Sequence, residues 1–160
     1  MPVAKIVILN WNGAEHLRRF LPSVVAAAPA GVEVVVADNG STDDSLRVLA
    51  TEFPSVGVLR LDANYGFAGG YNRALKQVEA DYYLLLNSDI ETPEGWLAPI
   101  LDVLEREPDV AVVSPKLISW TDRTEFEYAG ASGGFIDFLG YPFCRGRILR
   151  QVEADEGQYD

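Results

Sequence analysis

The sequence predicts an α/β fold: a mostly parallel sheet with helices on both faces. Three observations carry this reading. Short β-branched apolar runs alternate along the chain with stretches of helical periodicity. The apolar runs are continuous rather than alternating, the pattern of strands buried on both sides. A helical stretch separates each run from the next, which is the connection that parallel strands need.

Taken in order, "VAKIVIL" (3–9) is the first strand. After the turn dipeptide Asn12-Gly13, the residues Leu17, Phe20, Leu21, Val24 and Val25 form one helical stripe. Pro22 lies inside it, so a kink or a restart of the helix is expected there. "VEVVVAD" (32–38) is the second strand, and Ser41 with Asp44 has the spacing of a capping box before a face of Leu46, Leu49, Ala50 and Phe53. "VGVLRLD" (56–62) is the third strand, followed by Tyr71, Ala74, Leu75 and Val78 at helical spacing. "YYLLLN" (82–87) reads as a fourth strand, central and buried on both faces. Thr92 as cap and Pro93 in the first turn open a helix bearing Leu97, Ile100, Leu101 and Leu104. "VAVVSP" (110–115) is expected as a fifth strand. From about Ser119 the chain turns rich in glycine and aromatics without periodicity. The expected organisation is an α/β core over 1–118 and an irregular segment over 119–160 of the same domain.

A chain of 160 residues fits one domain. Its net charge of -11 and pI near 4.4 exclude a phosphate-tracking nucleic-acid binder, which needs clustered cations. The one local basic cluster, Arg145, Arg147 and Arg150, is followed at once by Glu153, Asp155 and Glu156. Acidity also sets a condition: an anionic ligand here needs a metal ion or helix N-termini. No apolar run reaches the ~18 residues of a membrane span, and the N-terminus lacks the order of a secretory signal. Cys144 is the single cysteine, which makes a reducing cytoplasm the default expectation. His16 reads as a surface residue.

Ligands of open α/β sheets bind beyond the carboxyl ends of the strands. There the sequence places Asn10-Trp11-Asn12-Gly13, then Asp38-Asn39-Gly40-Ser41-Thr42-Asp43-Asp44, then Asp62 to Gly70, then Asn87-Ser88-Asp89. Turns and caps account for Gly13, Gly40 and Ser41. Asp38 precedes its turn and caps nothing obvious. Gly66, Gly69 and Gly70 would let the backbone approach a ligand closely or take a positive φ. Trp11 reads equally as an edge-of-core residue or as a base-stacking one. Neither G-x-G-x-x-G nor G-x-x-x-x-G-K-[ST] is present. Asp38-Asn39-Gly40-Ser41-Thr42 is faintly similar to the aspartyl-nucleophile loop of haloacid-dehalogenase-type phosphatases. The second acid of that loop is Gly40 here, and no matching later Lys and paired-Asp loop follows.

In order and with fitting separations, "VILNWNG", "VVVADNGSTDDS", "LDANYGFAGGYNRAL" and "YYLLLNSDIE" resemble the family 2 glycosyltransferases. That family has a Rossmann-like, nucleotide-sugar-binding GT-A fold. "GYPFCRGR" and "EGQYD" look like segments of a rhamnosyltransferase-like bacterial subset. The resemblance implies transfer of a sugar from a nucleotide-diphosphate sugar to a glycan or lipid-linked acceptor hydroxyl, with inversion, as in polysaccharide biosynthesis. It implies Trp11 against the nucleotide base and Asp38 bonded to it. Asn64, Gly66 and Asn72 would border the nucleotide and donor sugar. Asp89 would be the last acid of a D-x-D-type motif binding Mg²⁺ or Mn²⁺, with Asn87 in place of the first acid. A cytoplasmic protein, peripheral at the inner membrane face, is the expected setting. The family's general base lies well beyond the metal motif, and it is expected past Asp160. Glu125, Glu127, Asp137, Asp155 and Glu156 have no matching context, so none is assigned as base. A nucleotide-sugar-binding module without catalysis is the alternative, and an aspartyl-type phosphatase a weaker one. The tail aromatics Phe126, Tyr128, Phe135, Phe138, Tyr141 and Phe143 leave room for a homodimer that covers them.

Overall fold

The computed structural model describes residues 4–127, 132–148 and 151–159. Tyr128, Arg150 and the side chain of Arg147 lie outside what is described. The chain divides into two compact units, Met1–Leu97 and Ala98–Asp160.

The first unit is built from β1 (Ala4–Asn10), α1 (Ala14–Ala27), β2 (Glu33–Asp38), α2 (Ser45–Glu52), β3 (Gly57–Arg60), α3 (Gly66–Leu75) and β4 (Tyr82–Asn87). Its four strands form a parallel sheet in the order β3-β2-β1-β4. From β1 the chain steps outward to β2 and β3, then returns past β1 to β4. Right-handed crossovers therefore set α1 and α2 on one face and α3 on the other. Strand residues alternate between those faces. Val7 and Ala37 meet Tyr71, Ala74 and Val78 in one buried cluster. Ile6, Ile8 and Val36 point the opposite way and are at most 2% exposed. β1 is thus buried on both faces, as its unbroken apolar run requires.

Tyr71 ties α3 to the sheet by more than packing. Its hydroxyl donates to Leu86 O at 3.0 Å and accepts from Leu9 N at 3.4 Å, so it sits between β1 and β4 near their carboxyl ends. Burial pushes the phenol above its ordinary pKa, which keeps it a donor.

Several expectations are corrected. α1 runs unbroken through Pro22. The proline faces solvent, where the carbonyl freed by its missing N–H can meet water. Ser41 makes no capping box: the N-cap of α2 is Asp44, without a side-chain cap bond, and the buried face of α2 centres on Ser45, Val48 and Leu49. Thr92 does not cap the next helix, which is α4 (Leu97–Arg106) and starts four residues after Pro93. Thr92 is instead buried, its N–H donating to Ser23 Oγ at 3.2 Å. The run 110–115 forms no strand, and Val112 is 83% exposed. An apolar run is necessary for a buried strand, yet it needs a ladder partner that periodicity cannot reveal. β4 accordingly ends the sheet instead of lying in its middle, and Tyr83 and Leu85 are exposed on one of its faces.

In the second unit the expected irregular tail holds two antiparallel hairpins, β5 (Gly134–Ile136) with β6 (Pro142–Cys144) and β7 (Arg147–Ile148) with β8 (Gln151–Val152). Strands of two or three residues are too short to print a period on the sequence. Phe126, 2% exposed, anchors this unit beside the Tyr159 ring at 5.9 Å. Lys116 reaches Asp155 at 2.9 Å and holds its carboxyl below the usual range. Tyr71→Phe removes the hydroxyl between β1 and β4. It should lower the free energy of unfolding by about 1 kcal/mol in urea denaturation; an unchanged midpoint would show that the hydroxyl bonds contribute nothing net.

Candidate functional site

Because the strand order reverses between β1 and β4, their carboxyl ends flank the switch point where an open sheet forms its crevice. The loops after β1, β2 and β3 are knitted together there by side-chain hydrogen bonds. Asn10, fully buried, donates through Nδ2 to Asp38 Oδ2 at 3.2 Å and to Ser41 Oγ at 3.3 Å. Asp38 is 1% exposed, and its Oδ1 accepts the Ser41 N–H at 3.0 Å. The sequence reading left Asp38 without a cap role; in the structure it closes the turn that follows it.

Asn12 takes the left-handed conformation, with φ 51, which a short amide side chain tolerates. Its N–H donates to Ser41 Oγ at 2.9 Å, and its Oδ1 accepts the Thr42 N–H at 2.7 Å. The β1 and β2 loops thus clasp each other, leaving Trp11 between Asn10 and Asn12 with 56% of its surface open. Asp43 extends the clasp, accepting the Ala14 N–H at 3.0 Å and the Ser45 N–H at 2.9 Å, one at the start of each helix. Partial burial pushes the Asp43 carboxyl up, but these hydrogen bonds outweigh it and hold the carboxyl below its ordinary value.

Asn39 joins the β2 loop to the β3 loop. It is 2% exposed, donates to Asn64 Oδ1 at 3.0 Å and Gly66 O at 3.1 Å, and accepts the Tyr65 N–H at 3.0 Å. Asn64 Oδ1 also receives the Gly66 N–H at 2.8 Å, at the first residue of α3. Gly40 makes this closeness feasible. At φ 75, a Cβ there would stand 2.6 Å from the Ala63 backbone. Gly70 has a similar duty, since a Cβ would come 2.9 Å from Leu9 and 3.0 Å from Asn39 Nδ2. It permits close packing of protein on protein, where the sequence reading expected room for a ligand. Beside this loop Tyr65 donates to Asp62 Oδ1 at 2.8 Å and lies under the Arg73 guanidinium at 3.6 Å.

The fourth loop lies alongside the first: a side chain at Gly13 would meet Asn10 Oδ1 and come 3.8 Å from Ser88 Oγ. Asn87 and Asp89 are exposed there, without side-chain hydrogen bonds among the described residues. The structure therefore draws Asp38, Asn64 and Gly66 into one bonded mesh and sets Trp11 on its rim. Asn87 and Asp89 are not bonded into it. Asn72 stands apart, on the exposed side of α3 in its second turn. Asn10 and Asn39 were not singled out by sequence. Both are amides directly at a strand's carboxyl end, and that position was the available signal. Three acids of the second unit are engaged locally: Glu127 accepts the Trp120 N–H, Asp137 the Leu139 N–H and Asp155 the Lys116 ammonium.

A cavity of about 410 Å³ lies at the opposite, amino ends of the strands, walled by Val25, Ala28, Val32, Val35 and Val56. Glu33 and Ser55 are its polar side chains. Among the described residues, no three His, Cys, Asp or Glu side chains gather to form a metal cage.

Comparison with known proteins agrees with this geometry. The model of Glycosyl transferase family 2 matches residues 5–149. An N-acetylglucosaminyl-diphospho-decaprenol L-rhamnosyltransferase of Mycobacterium tuberculosis is 29% identical over 124 residues, covering 71% of this chain and 40% of the relative. The mannosyltransferase PcManGT of Pyrobaculum calidifontis, in complex with GDP-Man and Mn2+, superposes with TM-score 0.63 at 23% identity over 72% of this chain and 36% of that one. S. aureus TarS 1-349 in complex with UDP-GlcNAc gives TM-score 0.61 at 25% identity over 73% and 35%. The chain spans about two fifths of the length of the first curated relatives it matches.

Two outcomes are expected of the mesh. Asn39→Ala should cost about 2 kcal/mol of stability in urea, since one substitution removes three partly buried hydrogen bonds. Asp43 binds a proton less readily folded than unfolded, so its contribution is complete above about pH 4 and fades as pH falls through its lowered pKa. Asp43→Asn should therefore flatten the loss of stability on acidification below about pH 4, read from urea midpoints against pH; an unaltered acid limb would refute the assignment.

Proposed function

The chain belongs to glycosyl transferase family 2, and from that premise we propose that its first unit holds the nucleotide-diphosphate sugar donor of an inverting sugar transfer. The observation that carries the reading is the mesh itself. Three bonded polar loops and a fourth alongside them gather at the sheet's switch point, with Asp38 buried within them and Trp11 exposed on their rim. In this reading Trp11 offers a face for the nucleotide base, and Asp38 accepts a hydrogen bond from the base edge. Asn64 and Gly66 border the ribose and diphosphate at the first turn of α3, whose dipole favours negative charge. Asn72, a turn further along the same helix and apart from the mesh, would border the donor sugar only where the sugar extends along α3. Residues 1–118 then serve as the nucleotide-sugar core, and 119–160 as its glycine- and aromatic-rich extension.

A diphosphate entering here meets Asp38, Asp43, Asp62 and Asp89 in a chain of charge -11, so it needs a countercharge. Asp89 suits a hard cation: its carboxylate is exposed and free at the end of β4, and Asn87 adds an uncharged oxygen. One acid and one amide fit an open Mg²⁺ or Mn²⁺ site completed by donor phosphates; they do not fit a closed protein cage. A divalent ion held there offsets the charge that grows on the departing nucleoside diphosphate. The resident residues orient the donor, leaving the sugar's anomeric carbon open to attack by an acceptor hydroxyl. No described acid is assigned as the general base that takes the hydroxyl proton. The acceptor is a glycan or lipid-linked hydroxyl, which places the protein peripherally at a membrane face. Among the described residues no helix is long and apolar enough to cross a membrane.

Calorimetric titration with UDP and with dTDP, each with and without Mn²⁺, tests the reading. Binding should tighten with metal, and Asp89→Ala should remove that enhancement while leaving the weaker metal-free binding. Asp38→Ala should weaken both by about tenfold, the loss of one charged hydrogen bond. Metal-enhanced binding unchanged in Asp89→Ala would overturn the site, and a phospho-aspartate at Asp38 would favour a phosphatase.

A further inference from the structure

One buried atom of the mesh is left without a partner. Asn10 is fully buried, and its Oδ1 accepts no hydrogen bond among the described residues. The amide cannot turn over to relieve this. Its Nδ2 is held by Asp38 Oδ2 at 3.2 Å and by Ser41 Oγ at 3.3 Å, and a flip would set the carbonyl oxygen against the Asp38 carboxylate. Oδ1 is therefore fixed facing away from that carboxylate, and a buried acceptor in such a place calls for a donor.

The sheet brings a donor to it. β1 and β4 run parallel, and their pairing ends with Ile8 opposite Leu86 and Leu9 opposite Asn87. One step further along the same register, Asn10 stands opposite Ser88. Residues so paired share a face of the sheet, and neighbouring strands lie ~4.8 Å apart. The glycine that follows reports how near the two side chains are. A Cβ at Gly13 would meet Asn10 Oδ1 and come 3.8 Å from Ser88 Oγ, so both oxygens border the place that a side chain at Gly13 would fill.

Burial agrees with this direction. Ser88 is half-buried between Asn87 and Asp89, which are exposed, and its hydroxyl has no hydrogen-bond partner among the described residues. A serine hydroxyl donates and rotates to suit its surroundings. A change of χ1 rotamer, or one bridging water, joins it to Oδ1.

We propose that Ser88 is a positioning residue: its hydroxyl donates to Asn10 Oδ1 and fastens the β4 loop to the mesh, with Asp89 on the outward side for a cation. Groups behind a metal ligand set its direction in this way. The inference rests on the proposed function for the role of Asp89 only. The link between Ser88 and Asn10 belongs to the chain without any ligand, so the two can fail separately.

Nuclear magnetic resonance of the full chain without ligand tests the link. Ser88→Ala should shift the Asn10 carboxamide resonances and speed amide hydrogen exchange at Asp89. Ser88→Thr, which keeps a hydroxyl, should hold both near their wild-type values. In UDP titration, Ser88→Ala should lower the enhancement by Mn²⁺ about tenfold without weakening metal-free binding, and Ser88→Thr should restore it. An unmoved Asn10 carboxamide in Ser88→Ala would overturn the proposal. So would full metal enhancement in that variant, or a Ser88→Thr chain that behaves like Ser88→Ala. A wild-type chain that does not bind UDP refutes the donor site alone, and the ligand-free comparison still decides the link.

Discussion

The buried amide–carboxylate mesh at the carboxyl edge of the sheet is the constraint on which the site depends. Asn10, Asp38 and Asn39 are each at most 2% exposed, a depth at which polar groups must be paired. Apart from Asn10 Oδ1, which has no hydrogen-bond partner among the described residues, they pair with one another and with neighbouring loops, so the cost of burying them is offset only when three loops hold one relative arrangement. That requirement converts three mobile connections into a rigid rim. Trp11 stands open on that rim, while Asn64 and Gly66 are held in place by their bonds to Asn39 and to each other.

The mesh and the sheet order reinforce each other. The β3-β2-β1-β4 order puts the reversal beside β1, and the Tyr71 hydroxyl joins β1 to β4 close to that end. Asp89 emerges on the far side of the reversal, outside the mesh and exposed. Among the described residues its carboxylate has no hydrogen-bond or ion-pair partner, and we propose that it is kept for a divalent cation that would arrive with the diphosphate.

Much of this was legible in the sequence, and the limits were physical. Continuous apolar runs gave the parallel sheet and its helices correctly through β4, because burial on both faces leaves an unbroken pattern. The fifth strand failed because a run such as 110–115 records hydrophobicity and not the presence of a pairing neighbour. For the same reason β4 was placed centrally, although Leu85 is 53% exposed. Strand-end polar clusters pointed to the edge of the sheet where the bonded mesh forms. They could not separate Asn39, which ties two loops together, from an ordinary turn residue, since both duties favour asparagine. Ser41 was misjudged in the same way: its spacing to Asp44 suggested a cap, whereas its hydroxyl accepts from Asn10 and Asn12. Arrangements made across loops leave no local signature.

The central claim is that a nucleotide diphosphate and its metal occupy the switch point. Amide and indole resonances of the chain, followed by nuclear magnetic resonance as UDP or dTDP and then Mn²⁺ are added, test it most directly. Nucleotide should shift the Trp11 indole and the amides of Asn39 and Asn64 to Gly66, and Mn²⁺ should then broaden Ser88 and Asp89 first. Shifts confined to the amino-end cavity near Val25 and Val56, or broadening that spares Asp89, would contradict it.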